Sequence, residues 1–209
     1  MDLDAMRELA HKAMVRRCTH PDRERGFVYY HGQRVAEIAL QLRELIFPGE
    51  ESWDEVITAA GWFHDVGKGI EPHWEYGALL VREMLKDHCS PQELEQIAEI
   101  VGSHTLRKQR EYPPYVQLVQ DADILDHFGT LDIWLDFWHC ACRGKGLEDA
   151  LEFYGDEYLQ KVESVASLLN FPESVEILQE KMLFAREFAE RFRREAAGEL
   201  ILKRKKAKD

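Results

Sequence analysis

Apolar residues return along this chain at every third or fourth position, and almost nowhere at every second one. Leu3, Met6, Leu9/Ala10 and Ala13 form one such stripe, and Val35, Ile38, Leu42 and Leu45/Ile46 form another. The pattern repeats in Val56, Ala60 and Phe63, in Leu79, Leu80 and Met84, in Leu94, Ile97, Ala98 and Val101, and in Leu118, Val119, Ala122 and Leu125. This period gathers apolar side chains on one face of an α-helix, whereas a half-buried strand needs strict alternation. The spacing predicts an all-α, single-domain helical bundle of roughly eight to ten helices.

Start and stop signals divide the stripes. "SWDE" at Ser52 and "SPQE" at Ser90 have the form of capping boxes, the second with Pro91 at the first helical position. Pro72 and Pro172 are placed to open helices in the same way. "FPGE" at Phe47 and "RGKG" at Arg143 break the pattern. The last long helix, expected from Ser174 to Ala197, carries Leu178, Met182, Ala185, Phe188/Ala189 and Phe192 on one face. That face packs back on the body or joins a second copy as a homodimer. Residues 1–200 read as one domain, and 201–209 as a tail whose "KRKKAKD" is a frayed, solvated terminus.

Composition narrows the class. At 209 residues and 45% hydrophobic, the chain supports one sizeable core and is marginal for two. Nothing approaches the roughly eighteen consecutive apolar residues of a membrane span. The opening "MDLDAMRELAHKAM" is acidic and amphipathic, unlike a secretory signal, so a cytoplasmic location is expected. Cys18, Cys89, Cys140 and Cys142 read as ordinary reduced thiols. A net charge of −12 argues against a nucleic-acid partner, because phosphate backbones call for a basic surface. A small phosphorylated substrate needs only a local group of cations.

The polar residues on the inward stripes are the informative ones. His31 leads into Val35, Ile38 and Leu42; His64 follows Phe63 and is joined by Asp65; His104 extends Leu94, Ile97 and Val101; Asp123 lies one turn beyond Val119. Each alone reads as a hydrogen-bonded core residue. Together they are costly to bury unless partnered. One divalent cation among facing helices satisfies all of them.

Three segments carry a resemblance: "HGQRVAEIA" from His31, "HDVGKG" from His64 and "DADILDHFG" from Asp121. They resemble the HD-domain superfamily of metal-dependent phosphohydrolases, over about the first two thirds of the chain. The resemblance implies metal ligands at His31, His64, Asp65 and Asp123, with Asp123 preferred to Asp121 because it follows the small Ala122 and has the inward phase. Asp126, one turn on, is a supporting group. In branches with two metals two more histidines serve, here His73 in "HWEYGALL" and His104 in "VGSHT"; with one metal they face substrate phosphate. His11, His20, His88, His127 and His139 match no motif position and read as surface or packing residues. The chain lacks the "GYP" signature of the cyclic di-guanylate branch and any adjoining synthetase domain.

The implied chemistry is hydrolysis at phosphorus. Imidazole and carboxylate ligands suit Mn, Fe, Co, Ni or Zn, as one ion or two, and such ions lower the pKa of bound water toward neutrality. Asp65 is a candidate for proton transfer and Lys68 for stabilising a phosphate oxygen. Arg34, Lys68, Arg107 and Lys108 are candidates to hold the substrate. Tyr29, Tyr30, Trp62, Trp74, Tyr112 and Tyr115 are candidates to stack on a base, which favours a nucleotide. Alternatives are a phosphodiesterase for a cyclic or linear dinucleotide, a non-catalytic nucleotide sensor, and an iron-dependent oxygenase.

Overall fold

Ten α-helices and one 3₁₀ turn, with no strand, make up the described residues of the computed structural model, 1–19 and 22–201. His20 and the basic tail from residue 202 onward lie outside them. The helices are α1 (Leu3–Met14), α2 (Phe27–Ile46), α3 (Asp54–Phe63), α4 (His73–Leu85), α5 (Pro91–Ser103), α6 (Pro114–Asp126), α7 (Thr130–Cys142), α8 (Leu147–Phe153), α9 (Asp156–Ala166) and α10 (Pro172–Ala196). The expected all-α bundle is what forms. Among the described residues no helix is long and apolar enough to cross a membrane. Cys89, Cys140 and Cys142 are free thiols.

The centre of the bundle is α2 laid against α3 and α6, with α4 paired on α5 and α5 packed against α3 and α6. Leu42, Ile57, Phe63, Leu85, Ile97, Ile100, Leu118 and Leu125 are fully buried between them. The approach of α2 to α3 is made through glycine. A Cβ on Gly61 would stand 2.6 Å from the Ala36 Cα, and one on Gly32 2.7 Å from the Trp62 carbonyl oxygen. No side chain fits there, so the two helix backbones touch. The long α10 packs on α6, α7 and α8 through Leu178, Met182, Ala185 and Ala189, so its apolar face is covered by the body of the protein.

The Ser90 capping box forms: the Ser90 hydroxyl accepts the Glu93 N–H at 3.3 Å, and Glu93 accepts the Ser90 N–H at 2.8 Å. The one expected at Ser52 does not. Residues Glu51–Trp53 form the 3₁₀ turn, and α3 begins at Asp54, whose carboxylate is clamped by the Arg43 guanidinium of α2 at 2.6 and 2.7 Å. Pro72 is the residue before α4 rather than its first. Within α4 the expected stripe is out of phase: Leu79 and Leu80 are 62% and 39% exposed. The inward face is His73, Gly77, Ala78, Val81 and Leu85, because His73 and the small Gly77 are drawn against the turn at Gly67 and against Val101.

Candidate metal centre

Helix ends, rather than helix middles, bring most of the site together. His64 is the C-cap of α3 and Asp65 follows it; His73 opens α4; His104 is the C-cap of α5; Asp123 lies in the last turn of α6. His31 comes from the second turn of α2. All six are buried.

The four imidazoles share one orientation rule. His64 Nδ1 donates to the Gly61 carbonyl and His104 Nδ1 to the Val101 carbonyl, each at 2.8 Å. These are unpaired carbonyls of a last helical turn, so position at the helix end fixes the ring. His31 Nδ1 donates to Asp126 at 2.7 Å and His73 Nδ1 to Glu71 at 3.0 Å. Every Nδ1 is thereby committed, and every Nε2 turns inward. His31 Nε2 and His64 Nε2 face each other at 3.1 Å. His73 Nε2 is buried with no hydrogen-bond partner. Two imidazole nitrogens in that relation repel unless a cation or a proton lies between them, and a carboxylate-supported imidazole is the common arrangement of a metal ligand.

Asp65 joins two halves of the cluster. Its Oδ1 is 3.5 Å from both His73 Nε2 and His104 Nε2, while its Oδ2 faces His64 Nε2 at 3.9 Å. Ligand atoms of His31, His64 and Asp65 lie within 4.8 Å of one another, and so do those of Asp65, His73 and His104. Asp123 closes the first half, 3.1 Å from His31 Nε2 and 3.7 Å from His64 Nε2.

The charges respond to this crowding. Burial opposes a charge on His31, yet hydrogen bonds to Asp123 and Asp126 outweigh it and raise the imidazole to about 9. Burial pushes neighbouring His64 down to about 4. Burial works against ionised Asp65 and Asp123 too, but the surrounding imidazoles, Lys68 and Arg107 hold both well below the usual carboxylate range. The cluster is thus built for positive charge at its centre. Buried carboxylates, inward lone pairs and fixed tautomers fit a divalent cation, which would take the place of the His31 proton.

The cations expected to hold substrate divide. Lys68 Nζ is 3.4 Å from Asp65 Oδ1 and remains 42% exposed at the mouth. Arg107 is bound to Asp123 and to the Gln120 carbonyl. Arg34 is taken by Asp126, at 2.7 and 2.9 Å, and steadies the carboxylate behind His31. Lys108 is exposed, at a positive φ of 60°, and does not line the cavity described below.

Two contributors carry no motif signal. His127, one turn after Asp123, brings its Nε2 to 3.8 Å from Asp123 Oδ1 and its ring centroid to 4.7 Å from that of His31. Its i+4 spacing from Asp123 is the trace it leaves in the sequence. Arg17, from the segment after α1, donates to the Val66 and Lys68 carbonyls and pins the turn that follows the His-Asp pair. Asp121 points elsewhere: its carboxylate accepts the Asn170 and Phe171 N–H groups at 2.9 and 3.1 Å.

A cavity of about 750 Å³ opens on this centre, lined there by Asp65, Lys68, His104, Arg107 and Asp123. Its aromatic rings are Phe128 and Phe153; Tyr29, Tyr30, Trp62, Trp74, Tyr112 and Tyr115 do not line it.

An all-α bundle whose helix ends aim histidines and aspartates at one point defines a class, and the comparisons name it. Residues 28–127 match the family model of the HD domain, and the chain carries that domain there. No curated relative matches in sequence. Among solved structures it is similar to an HD-superfamily hydrolase of Bacillus thuringiensis, with 21% identity, a TM-score of 0.70 and coverage of 94% of this chain and 97% of the other. It is also similar to Bacillus subtilis YpgQ in complex with ADP, at 16% identity and a TM-score of 0.65 over 93% and 98% of the two chains. A Lactobacillus plantarum protein aligns at 19% identity and a TM-score of 0.64 over 95% and 98%.

Proposed function

We propose that this protein is a metal-dependent phosphohydrolase that cleaves a phosphate ester or anhydride of a small molecule, with a nucleotide as substrate. The observation that carries the reading is the convergence of four inward Nε2 atoms and two carboxylates at the mouth of a cavity that also presents Lys68 and Arg107. A phosphate drawn to that mouth meets cations on one side and the ligand cluster on the other. The complex of YpgQ with ADP supports the nucleotide.

His31, His64, Asp65 and Asp123 would hold one ion, and Asp65, His73 and His104 a second, with Asp65 common to both because its two oxygens face opposite halves. A bound Mn, Fe, Co, Ni or Zn ion supplies Lewis acidity that makes water a nucleophile near neutral pH. Asp65, between His64 on one side and His73 and His104 on the other, would be the carboxylate of this chain to take up a proton there. Lys68, on the same side of the carboxylate, offsets charge on a non-bridging phosphate oxygen. Asp126, Glu71 and the two helix-end carbonyls keep the rings from turning.

The test is phosphate release from a panel of nucleoside mono-, di- and triphosphates, with protein loaded separately with each of the five metals. His64→Ala and Asp65→Ala should abolish both metal retention and hydrolysis while helical content stays near wild type. Undiminished hydrolysis in either variant would overturn the reading. Lys68→Ala should lower turnover and keep the metal.

A further inference from the structure

The cavity has a second polar wall, on α7. Asp132 and Asp136 stand one turn apart there and are 4% and 9% exposed. Each has one oxygen occupied. Asp132 Oδ1 lies 3.4 Å from Lys161 Nζ, which is itself 5.3 Å from the centroids of both Phe128 and Phe153. Asp136 Oδ1 takes a long contact of 3.9 Å from the Cys140 thiol. The second oxygen of each, Oδ2, is buried without a hydrogen-bond partner. Burial pushes the Asp132 carboxyl up against the opposing pull of Lys161 and, after it, of the nearby Tyr158 hydroxyl, which closes no hydrogen bond of good geometry.

A buried acceptor left unmatched costs about 1–3 kcal/mol, so two on one turn of helix mark a place where something else supplies the donors. A metal ion is a poor candidate. Among the described residues no third His, Cys, Asp or Glu ligand joins this pair, and Lys161 already provides the cation. The two carboxylates repel a phosphate at their own oxygens, and Lys145 and Lys161 beside them on the lining are set against those carboxylates. What remains is a group that donates to both carboxylates, and the cavity is continuous from Asp132 and Asp136 to Asp65 and Asp123.

We propose that this wall receives the organic part of the phosphorylated substrate, and that this part presents paired N–H or O–H donors to Asp132 and Asp136. The inference rests on the phosphohydrolase reading and adds a specificity element to it. Two sources offer such pairs: the ring N–H and exocyclic amine of a guanine-like base, or the vicinal hydroxyls of a ribose.

The experiment is steady-state kinetics of metal-loaded enzyme on GMP, IMP, AMP and dGMP, for wild type, Asp132→Asn and Asp136→Asn. It is accompanied by equilibrium dialysis of guanosine, 2′-deoxyguanosine and adenosine, which carry no phosphate. The asparagines keep the shape and replace an acceptor with a donor. For the preferred substrate each variant should raise KM about tenfold, one decade corresponding to about 1.4 kcal/mol, and by more than any fall in kcat. A base-edge source shows as GMP and dGMP alike and both above IMP and AMP; a diol source shows as GMP, IMP and AMP alike and all above dGMP. Unchanged KM across the panel in both variants, with hydrolysis intact, overturns the wall and leaves the phosphohydrolase standing. No release of phosphate or pyrophosphate from any of these compounds or from the corresponding di- and triphosphates, with a nucleoside still bound by wild type and lost in the variants, overturns the phosphohydrolase and leaves the wall standing. No nucleoside bound and no phosphate released overturns both.

Discussion

Asp121 and Asp126 bracket Asp123 on α6, and all three are buried within two turns of one helix. Their partners separate them. Asp121 holds the chain entering α10, accepting two backbone N–H groups and the Asn170 amide. Asp121→Ala should therefore destabilise the fold by about 1–3 kcal/mol, the cost of leaving buried donors unmatched. A urea melt measures this, and the metal content of the folded variant should equal that of wild type. Asp126 instead orients His31 and is itself gripped by Arg34. Asp126→Ala should weaken metal affinity about 10–100-fold, the usual effect of removing a carboxylate behind a ligating imidazole. Competition with a chelator of known affinity reads the change, and an affinity equal to wild type would remove Asp126 from the site. From sequence the inward phase favoured Asp123, but the difference between its two neighbours lies in Asn170 and Arg34. Those partners are 49 and 92 residues away, where no local pattern points.

The helices themselves were legible because burial imposes a period, and nearly every stripe read from the sequence lies on a helix near the expected limits. What periodicity leaves open is the phase of a helix that ends in ligands. In α4 the apolar pair Leu79 and Leu80 outweighs His73 in any hydropathy count, yet His73 is the residue turned inward. The same holds for the contact of α2 with α3, where the decisive residues, Gly32 and Gly61, have no side chain to count. Because that contact carries His31 on one side and His64 on the other, its spacing sets the 3.1 Å between their Nε2 atoms. Gly61→Ala places a methyl carbon against the backbone of α2 rather than against a movable side chain. It should lower stability by about 1–3 kcal/mol, as overpacking does, and weaken metal binding with it. Gly49→Ala, exposed and with nothing within 4 Å of the added carbon, is the control and should stay within about 0.5 kcal/mol of wild type. Thermal melts with and without metal distinguish the two, and a Gly61→Ala protein that binds metal normally would uncouple the helix contact from the site.

At the scale of the whole molecule, the ligand cluster is a point where five segments of chain meet under electrostatic strain. Six of its residues could be named from five short segments and the helical phase, because chemistry restricts which side chains hold a metal. His127, Arg17 and the α7 wall could not, since their roles exist only once α1, α6 and α7 are folded together. The same meeting of segments would make a bound metal part of the stability of the fold. With no cation bound, the bundle must bury two carboxylates and several imidazoles against one another, and it keeps His31 protonated, at a value raised to about 9, to do so. A cation that binds only the assembled cluster stabilises it by mass action, by about 2.7 kcal/mol when free metal is a hundredfold above its dissociation constant. For a domain of this size each kcal/mol moves the midpoint by about 2–4 °C. Chelator-treated protein should therefore melt roughly 5–10 °C below the metal-loaded form, and the midpoint should climb with metal concentration until the site is full. His64→Ala should erase the dependence while leaving the chelated midpoint nearly unchanged or slightly higher, because it removes a lone pair from the crowded centre. A wild-type melt indifferent to metal would mean that the cluster is held by its protons and hydrogen bonds alone.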